Sequence, residues 1–260
     1  MKKVMLCLFA MMAITATQAQ ISGYKIGIKV SPNISYMKSD NGDITIDRAP
    51  LKFGFGLVVD KMFAENYAIG TGVNVYRVGG RTQYSYVQNV VDTASIYNLT
   101  RDHKLTYIEI PLTLKLRTSP IAGITYWGQF GTGISYLYKA YSDDTFQEKF
   151  IQRGGSAPFI APSPASPVIV DEGNEIQKEL MPVRASLIIA AGIEYPISGS
   201  TALMAGFTFN GGLLSTYKAK DEVIKMTSGN PTFSNSNKSV ETTSRKIAAN
   251  LIELNVGIIF

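Results

Sequence analysis

Residues 251–260 read LIELNVGIIF, and every second side chain counted back from Phe260 is apolar: Ile258, Val256, Leu254 and Ile252. Gly257, Asn255 and Glu253 occupy the alternate positions. A period of two is the signature of a β-strand whose faces meet different surroundings. One arrangement puts the apolar face in lipid and the polar face in an aqueous lumen; the other is an alternating strand of a soluble sandwich. The decamer admits both, so the rest of the chain has to decide.

The pattern recurs about eight times. YKIGIKV sets Tyr24, Ile26, Ile28 and Val30 against Lys25, Gly27 and Lys29, and Phe53, Phe55, Leu57 and Val59 alternate with Lys52, Gly54, Gly56 and Asp60. From Tyr67 to Tyr76, Ile69, Thr71, Val73 and Val75 oppose Gly70, Gly72 and Asn74. YIEIPLTLKLR is the sharpest example: Ile108, Ile110, Leu112, Leu114 and Leu116 face one way, and Glu109, Pro111, Thr113, Lys115 and Arg117 the other. Proline is penalised in a central strand, so Pro111 predicts a bulge or kink. The fifth strand carries Ile124, Tyr126, Phe130, Ile134, Tyr136 and Tyr138 on its apolar face, with aromatics toward both ends as in an interfacial girdle. The sixth alternates Val183 to Tyr195 with Arg184, Ser186, Gly192 and Glu194, the seventh alternates Leu203 to Phe209 with Met204 to Asn210, and the terminal decamer is the eighth.

The links separate into two kinds. Those near 64–66, 118–123 and 197–200 are tight, whereas 37–50, 79–103, 142–181 and 218–246 are long, and long alternates with short throughout. Membrane barrels have this asymmetry, with short periplasmic turns and long extracellular loops. A soluble lipocalin-like barrel would point its apolar side chains inward. Here the inward set would be Lys25, Lys29, Asp60, Glu109, Lys115, Arg117, Arg184, Glu194 and Glu253, too many charges for an apolar cup. Mixed signs predict a salt-bridged lumen network inside an all-β, antiparallel up-and-down transmembrane barrel of about eight strands.

The amino-terminus supplies the export route. Lys2 and Lys3 precede an apolar run, Val4 to Ile14, and small residues lead to a cleavage point after Ala19. Residues 1–19 therefore read as a signal peptide and 20–260 as the barrel domain. Cys7, the single cysteine, lies in the leader, so the exported chain has no disulfide and no Cys-based metal or redox site. Of 25 Lys and Arg, two leave with the leader and 23 remain against 20 Asp and Glu, a balance of about +3 that is too dispersed for nucleic acid but suits anionic lipid headgroups. Beyond the leader no apolar run reaches the roughly 18 residues that a membrane helix needs, so any insertion uses strands.

With GYKIGIKVSPNIS, YIEIPLTLKL and the aromatic terminal strand in view, the sequence resembles the PorT-like, porin-family outer-membrane β-barrels of Gram-negative bacteria, over essentially the whole exported chain. That resemblance implies a place in the outer membrane and a possible part in protein secretion or cell-surface assembly. Expected partners are outer-membrane lipids and lipopolysaccharide, and the barrel-assembly machinery, which would read Val256, Ile258 and Phe260 as an insertion signal. Secretion-system or surface proteins are further candidates.

No residue set argues for catalysis, a cofactor or a metal. The single histidine, His103, follows Asp102; the reading is a solvated loop histidine, with a base of a lipid-modifying enzyme as the alternative. Gly131–Gly133 and Gly211–Gly212 lead into no helix, so they match no phosphate loop. APFIAPSPASPV could be a polyproline recognition segment or surface disorder, and TSGNPTFSNSNKS reads the same way. About eight strands enclose an interior that side chains fill, whereas diffusion porins use roughly 16 to 18. The preferred function is a non-catalytic barrel serving surface interaction or PorT-like secretion. A lipid-modifying enzyme and a narrow porin are the alternatives.

Overall fold

The computed structural model describes residues 23–90, 93–153, 160–161, 164–218, 222–227, 230–231 and 241–260. The signal-peptide reading and most of the two low-complexity loops lie outside them.

Eight antiparallel strands close into a ring: β1 (Tyr24–Lys38), β2 (Leu51–Ala64), β3 (Tyr67–Val90), β4 (Thr93–Arg117), β5 (Thr125–Arg153), β6 (Val183–Ser198), β7 (Thr201–Gly212) and β8 (Ala248–Ile259). Each pairs with its sequence neighbours, and β8 closes on β1 from Gly27↔Ile259 to Lys38↔Ala248. Phe260 extends the seam, its N–H donating to the Ile26 carbonyl at 2.8 Å. Closure leaves no unpaired edge in the ring, which lipid requires because it offers no hydrogen bonds.

Period-two patterning places the side chains. On β4, Ile110, Leu112, Leu114 and Leu116 lie exposed on the outside while Glu109, Thr113 and Lys115 are buried inside. Leu51, Phe53, Phe55, Val30, Phe130, Ile134 and Phe207 continue the exposed apolar surface around the ring. A contiguous apolar belt of this kind cannot face water without association. A rise of about 3.3 Å per residue and a tilt near 40° make the Ile108–Leu116 stretch about 20 Å tall, close to the ~25 Å band of outer-membrane barrels. Tyr24, Phe63, Tyr67, Tyr126 and Tyr195 mark its inner border.

Three expectations need correction. Residues 79–103 are not a loop: β3 and β4 pair without interruption from Val78↔Leu105 to Val90↔Thr93. β5 likewise continues to Arg153 against β4. These three strands therefore stand beyond the belt as a wall, extended by short edge strands Thr45–Arg48 on β3 and Ile169–Glu175 on β5. The second of these gives the 142–181 link a strand outside the ring, and 222–224 pairs with 242–244 in the last link. Pro111 makes no bulge either. It pairs with Gly133, and on its β3 side the ladder skips Gly72 and Val73 before resuming in the same register, with the Thr71 hydroxyl donating to the Pro111 carbonyl at 2.9 Å. Besides a bulge at Lys149, between the pairs Ile96↔Phe150 and Tyr97↔Glu148, the β4–β5 ladder bulges at Tyr138, between the pairs Thr106↔Lys139 and Tyr107↔Leu137. The bulge at Tyr138 switches the parity of β5, so that Tyr141 is exposed and Ser142 and Asp144 are buried.

Candidate functional site: the lumen clusters and the outer wall

All nine charges expected in the lumen point inward, in connected groups. Lys115, on β4, lies between Asp60 of β2 (2.5 Å) and Glu194 of β6 (2.9 Å). Arg117 closes on the other oxygen of Glu194, and Lys25 approaches the same oxygen at 3.5 Å. Lys115 also lies 5.0 Å from the Trp127 ring centroid, a cation–π contact that replaces part of its lost hydration. Three cations and two carboxylates thus fill the inner end of the barrel, and each member would be costly to bury alone.

Higher in the lumen, Glu109 is satisfied mainly by neutral donors. Tyr76 (3.1 Å), Ser135 (3.1 Å), Ser186 (3.2 Å), Asn210 (2.8 Å) and Asn74 (3.3 Å) donate to it, with Arg184 at 3.8 Å. Arg184 in turn donates to the Tyr76 hydroxyl (2.9 Å), Asn210 (2.8 Å) and the Ala249 carbonyl (2.9 Å). A Cβ built on Gly133 would come 2.7 Å from Glu109 Oε2, so this glycine makes room for the carboxylate. Lys29 and Glu253 form a third pair at 3.8 Å, and Lys29 also donates to Asn255 at 2.9 Å. Between the groups the described side chains leave a cavity of about 50 Å³, room for a few waters only.

Above Glu109 the interior turns apolar. Val78, Leu105, Leu137, Leu251 and Ile247 pack with Tyr76, Tyr107 and Tyr217 into a core that caps the lumen. One polar group is set within the wall. Arg101 forms a bidentate pair with Asp144 (2.8 and 2.6 Å) and reaches Glu179 at 2.6 Å, which Arg245 also contacts at 3.3 Å. Arg245 lies over the Tyr217 ring at 3.7 Å. Sequence reading sets Asn210 on the inward face without joining it to the charges, and it misses Tyr76, Ser135, Arg101, Asp144 and Glu179. Inward parity alone could have found Tyr76 and Ser135; the wall residues needed the corrected strand boundaries.

The structure corrects the solvated-loop reading of His103. It is 2% exposed on a strand, not a solvated loop residue, and its neighbour Asp102 points to the opposite face, where Arg81 holds it at 3.0 and 2.6 Å. Adjacent strand residues cannot share a face, so Asp102 and His103 form no dyad. His103 contacts the Gly80 carbonyl through Nδ1 at 3.1 Å and the Tyr217 hydroxyl through Nε2 at 2.5 Å. The carbonyl can only accept, so Nδ1 carries the proton and Nε2 accepts from tyrosine. Burial, reinforced by the positive charge of Arg101, lowers the His103 pKa to about 4. Among the described residues no group of three or more His, Cys, Asp or Glu is placed to hold a metal.

Of the expected insertion signal, Val256 lies exposed in the belt, while Ile258 and Phe260 are half-buried at its inner border.

Known proteins place this architecture. No curated protein matches the chain. Solved structures similar to it include Ail, the attachment invasion locus protein of Yersinia pestis, at 12% identity over 92% of this chain and 100% of that one, with a TM-score of 0.34. OprG from Pseudomonas aeruginosa has 12% identity over 92% and 96% with a TM-score of 0.35, and Neisserial surface protein A has 11% over 92% and 96% with 0.34. A family model described as the outer membrane protein beta-barrel domain matches residues 18–218. The chain belongs to that family and is a multi-pass β-barrel of the Gram-negative outer membrane.

Proposed function

We propose that the protein is a non-catalytic, non-conducting barrel, exported by the leader at residues 1–19, that presents its outer wall to a surface or secretion partner in a PorT-like role. The observation that carries this reading is the filled lumen. Ion clusters occupy the inner end, the Glu109–Arg184 network lies above them and an apolar core caps both, with a cavity of about 50 Å³ between the groups. Energy invested in a rigid wall beyond the membrane suits recognition better than passage. His103, locked between Gly80 and Tyr217, serves the wall as packing and lacks the accessible base that lipid chemistry requires.

Outer-membrane lipids and lipopolysaccharide surround the belt, and the barrel-assembly machinery reads the β8 strand through Val256, Ile258 and Phe260. Deleting Phe260 lowers the yield of assembled barrel, scored by heat-modifiable gel mobility; unchanged assembly removes that role. The proposed function is tested by deleting the gene and comparing secreted and surface proteins with the complemented strain. Loss of a defined exported set with outer-membrane permeability intact supports it. An unchanged exported set, or unit conductance of the purified barrel in a planar bilayer, refutes it.

A further inference from the structure

The border between the apolar belt and the outer wall is uneven in charge. On β2 to β5 the outward face changes within one or two outward positions from Phe53, Val75, Ile108 and Tyr136 to Arg77, Lys104 and Lys139, with Lys52, Arg48 and Arg81 beside them. The pairs Arg77↔Thr106 and Thr106↔Lys139, then Gly79↔Lys104, place these cations in adjoining rows of the sheet. Three carboxylates sit among the six cations: Asp102, Asp143 and, beside Arg81 and accepting from Gln83, Asp47. Asp102 is taken by Arg81 and, at 3.6 Å, by Arg48, and Asp143 by Lys104. Arg77, Lys52 and Lys139 have no carboxylate within 4.0 Å among the described residues, although Lys52 feels Asp102 and Asp143 at longer range, and Lys139 lies over the exposed Tyr138 ring at 5.4 Å.

Among the described residues, the other side of the barrel presents no comparable row of cations at the edge of the belt. At the outer border of β6, β7, β8 and β1 the exposed side chains include Val183, Phe209, Leu213, Ile252 and Ile34, with Lys38 and Lys246 beyond them. Lys38 is balanced by Asp40 at 3.6 Å.

We propose that the Arg77–Lys104–Lys139 patch is a binding site for the phosphate groups of an anionic outer-leaflet lipid, the chemistry that lipid A carries. The inference rests on, and deepens, the lipid-partner part of the function proposed above. Its position selects a lipid over a soluble anion. The cations lie directly above Ile108, Ile110 and Leu112, so one ligand can place its acyl chains on the belt and its phosphates on the patch. Arginine and lysine at such a border lay their aliphatic stems along the apolar surface and keep their charges at headgroup level. Two rows of cations, one formed by Arg77 and Lys139 and the other by Lys104, offer several charge-assisted contacts to one diphosphorylated headgroup.

The test uses the full exported chain folded into phosphatidylcholine nanodiscs doped with diphosphorylated lipid A, with retained lipid counted by native mass spectrometry after dilution into lipid-free buffer. Wild type is expected to retain lipid A, and the R77Q/K104Q/K139Q variant to retain at least about tenfold less, the loss of a few charge-assisted contacts. K38Q/K246Q, on the opposite side, is expected to match wild type. Heat-modifiable mobility verifies that each variant is folded. Dephosphorylated lipid A should be retained no better by wild type than by the triple variant. Equal retention by wild type and the triple variant overturns the site. No retention by wild type overturns the lipid partner itself. Equal binding of inorganic phosphate or a sulfated glycan in detergent, without lipid, reassigns the patch to soluble anions and overturns the lipid assignment.

Discussion

Strand β4 crosses two regions that obey opposite rules. From Arg117 to Glu109 its inward side chains are charged or polar and its outward ones, Leu116 to Ile110, are exposed and apolar. From Tyr107 to Leu99 the inward side chains Tyr107, Leu105 and Leu99 are buried and apolar, with the polar His103 and the paired Arg101 set among them, and the outward Lys104 and Asp102 are charged. No bulge separates the two stretches in the β3–β4 ladder, so parity is constant and only the polarity inverts. The backbone geometry is the same in both regions, and what changes is the solvent outside. In the belt, burial of apolar surface supplies little drive because lipid is as apolar as leucine, so the interior is held by paired charges and hydrogen bonds. In the wall, water is outside, and the ordinary hydrophobic core returns.

That contrast can be broken in several ways, with the largest effect in the lumen. Lys115→Ala leaves Asp60 and Glu194 buried beside an empty position and should cost about 3–5 kcal/mol, read as the urea midpoint of the barrel in vesicles. An unchanged midpoint would mean that the inner cluster is hydrated and adds little. A charge placed on one face of β4 separates the regions more finely. Leu112→Arg, in the belt, should cost about 2–4 kcal/mol, whereas the reciprocal Lys104→Leu, four positions beyond the belt on the same face, should stay within about 0.5 kcal/mol. Similar costs at both positions would erase the distinction.

Acid should loosen the wall ahead of the belt. The His103 pKa of about 4 in the fold lies below its ordinary 6.5, so the neutral form is the one the fold accommodates. Its contribution is complete above pH 6.5 and falls as the pH drops toward 4, by up to about 3 kcal/mol. Amide exchange at pH 4.5 should therefore rise in residues 78–88 and 96–105 relative to the belt, and His103→Gln should flatten that dependence.

The belt was legible in the sequence because lipid outside and charge inside give a strict period of two, and the inward charges from Lys25 to Glu253 follow from parity alone. The wall was not legible as strand. Gly79–Gly80, Thr82, Gln83 and Ser85 carry turn and loop composition, and the apolar set that would betray a strand, Val78, Tyr84, Leu99 and Leu105, sits on the face that is charged lower in the same strands. Reading the belt's polarity into the wall makes the alternation disappear. The partners inside the lumen were only half legible: the charges announced themselves, whereas Tyr76, Ser135, Ser186 and Asn210, which satisfy Glu109, look like ordinary strand residues until four strands are brought around one carboxylate.

The central claim is that the membrane ends between Ile108 and Lys104. Cys7 is the only cysteine in the sequence, so with Cys7 replaced by serine, single cysteines introduced at the outward positions Leu114, Leu112, Ile110, Lys104 and Asp102 can be spin-labelled in an otherwise cysteine-free chain. Power-saturation measurements in vesicles should give labels at 110, 112 and 114 high accessibility to oxygen and low accessibility to a water-soluble nickel complex, with the order reversed at 104 and 102. A lipid-like profile continuing through 104 and 102, or a water-like profile at 112, would contradict the account.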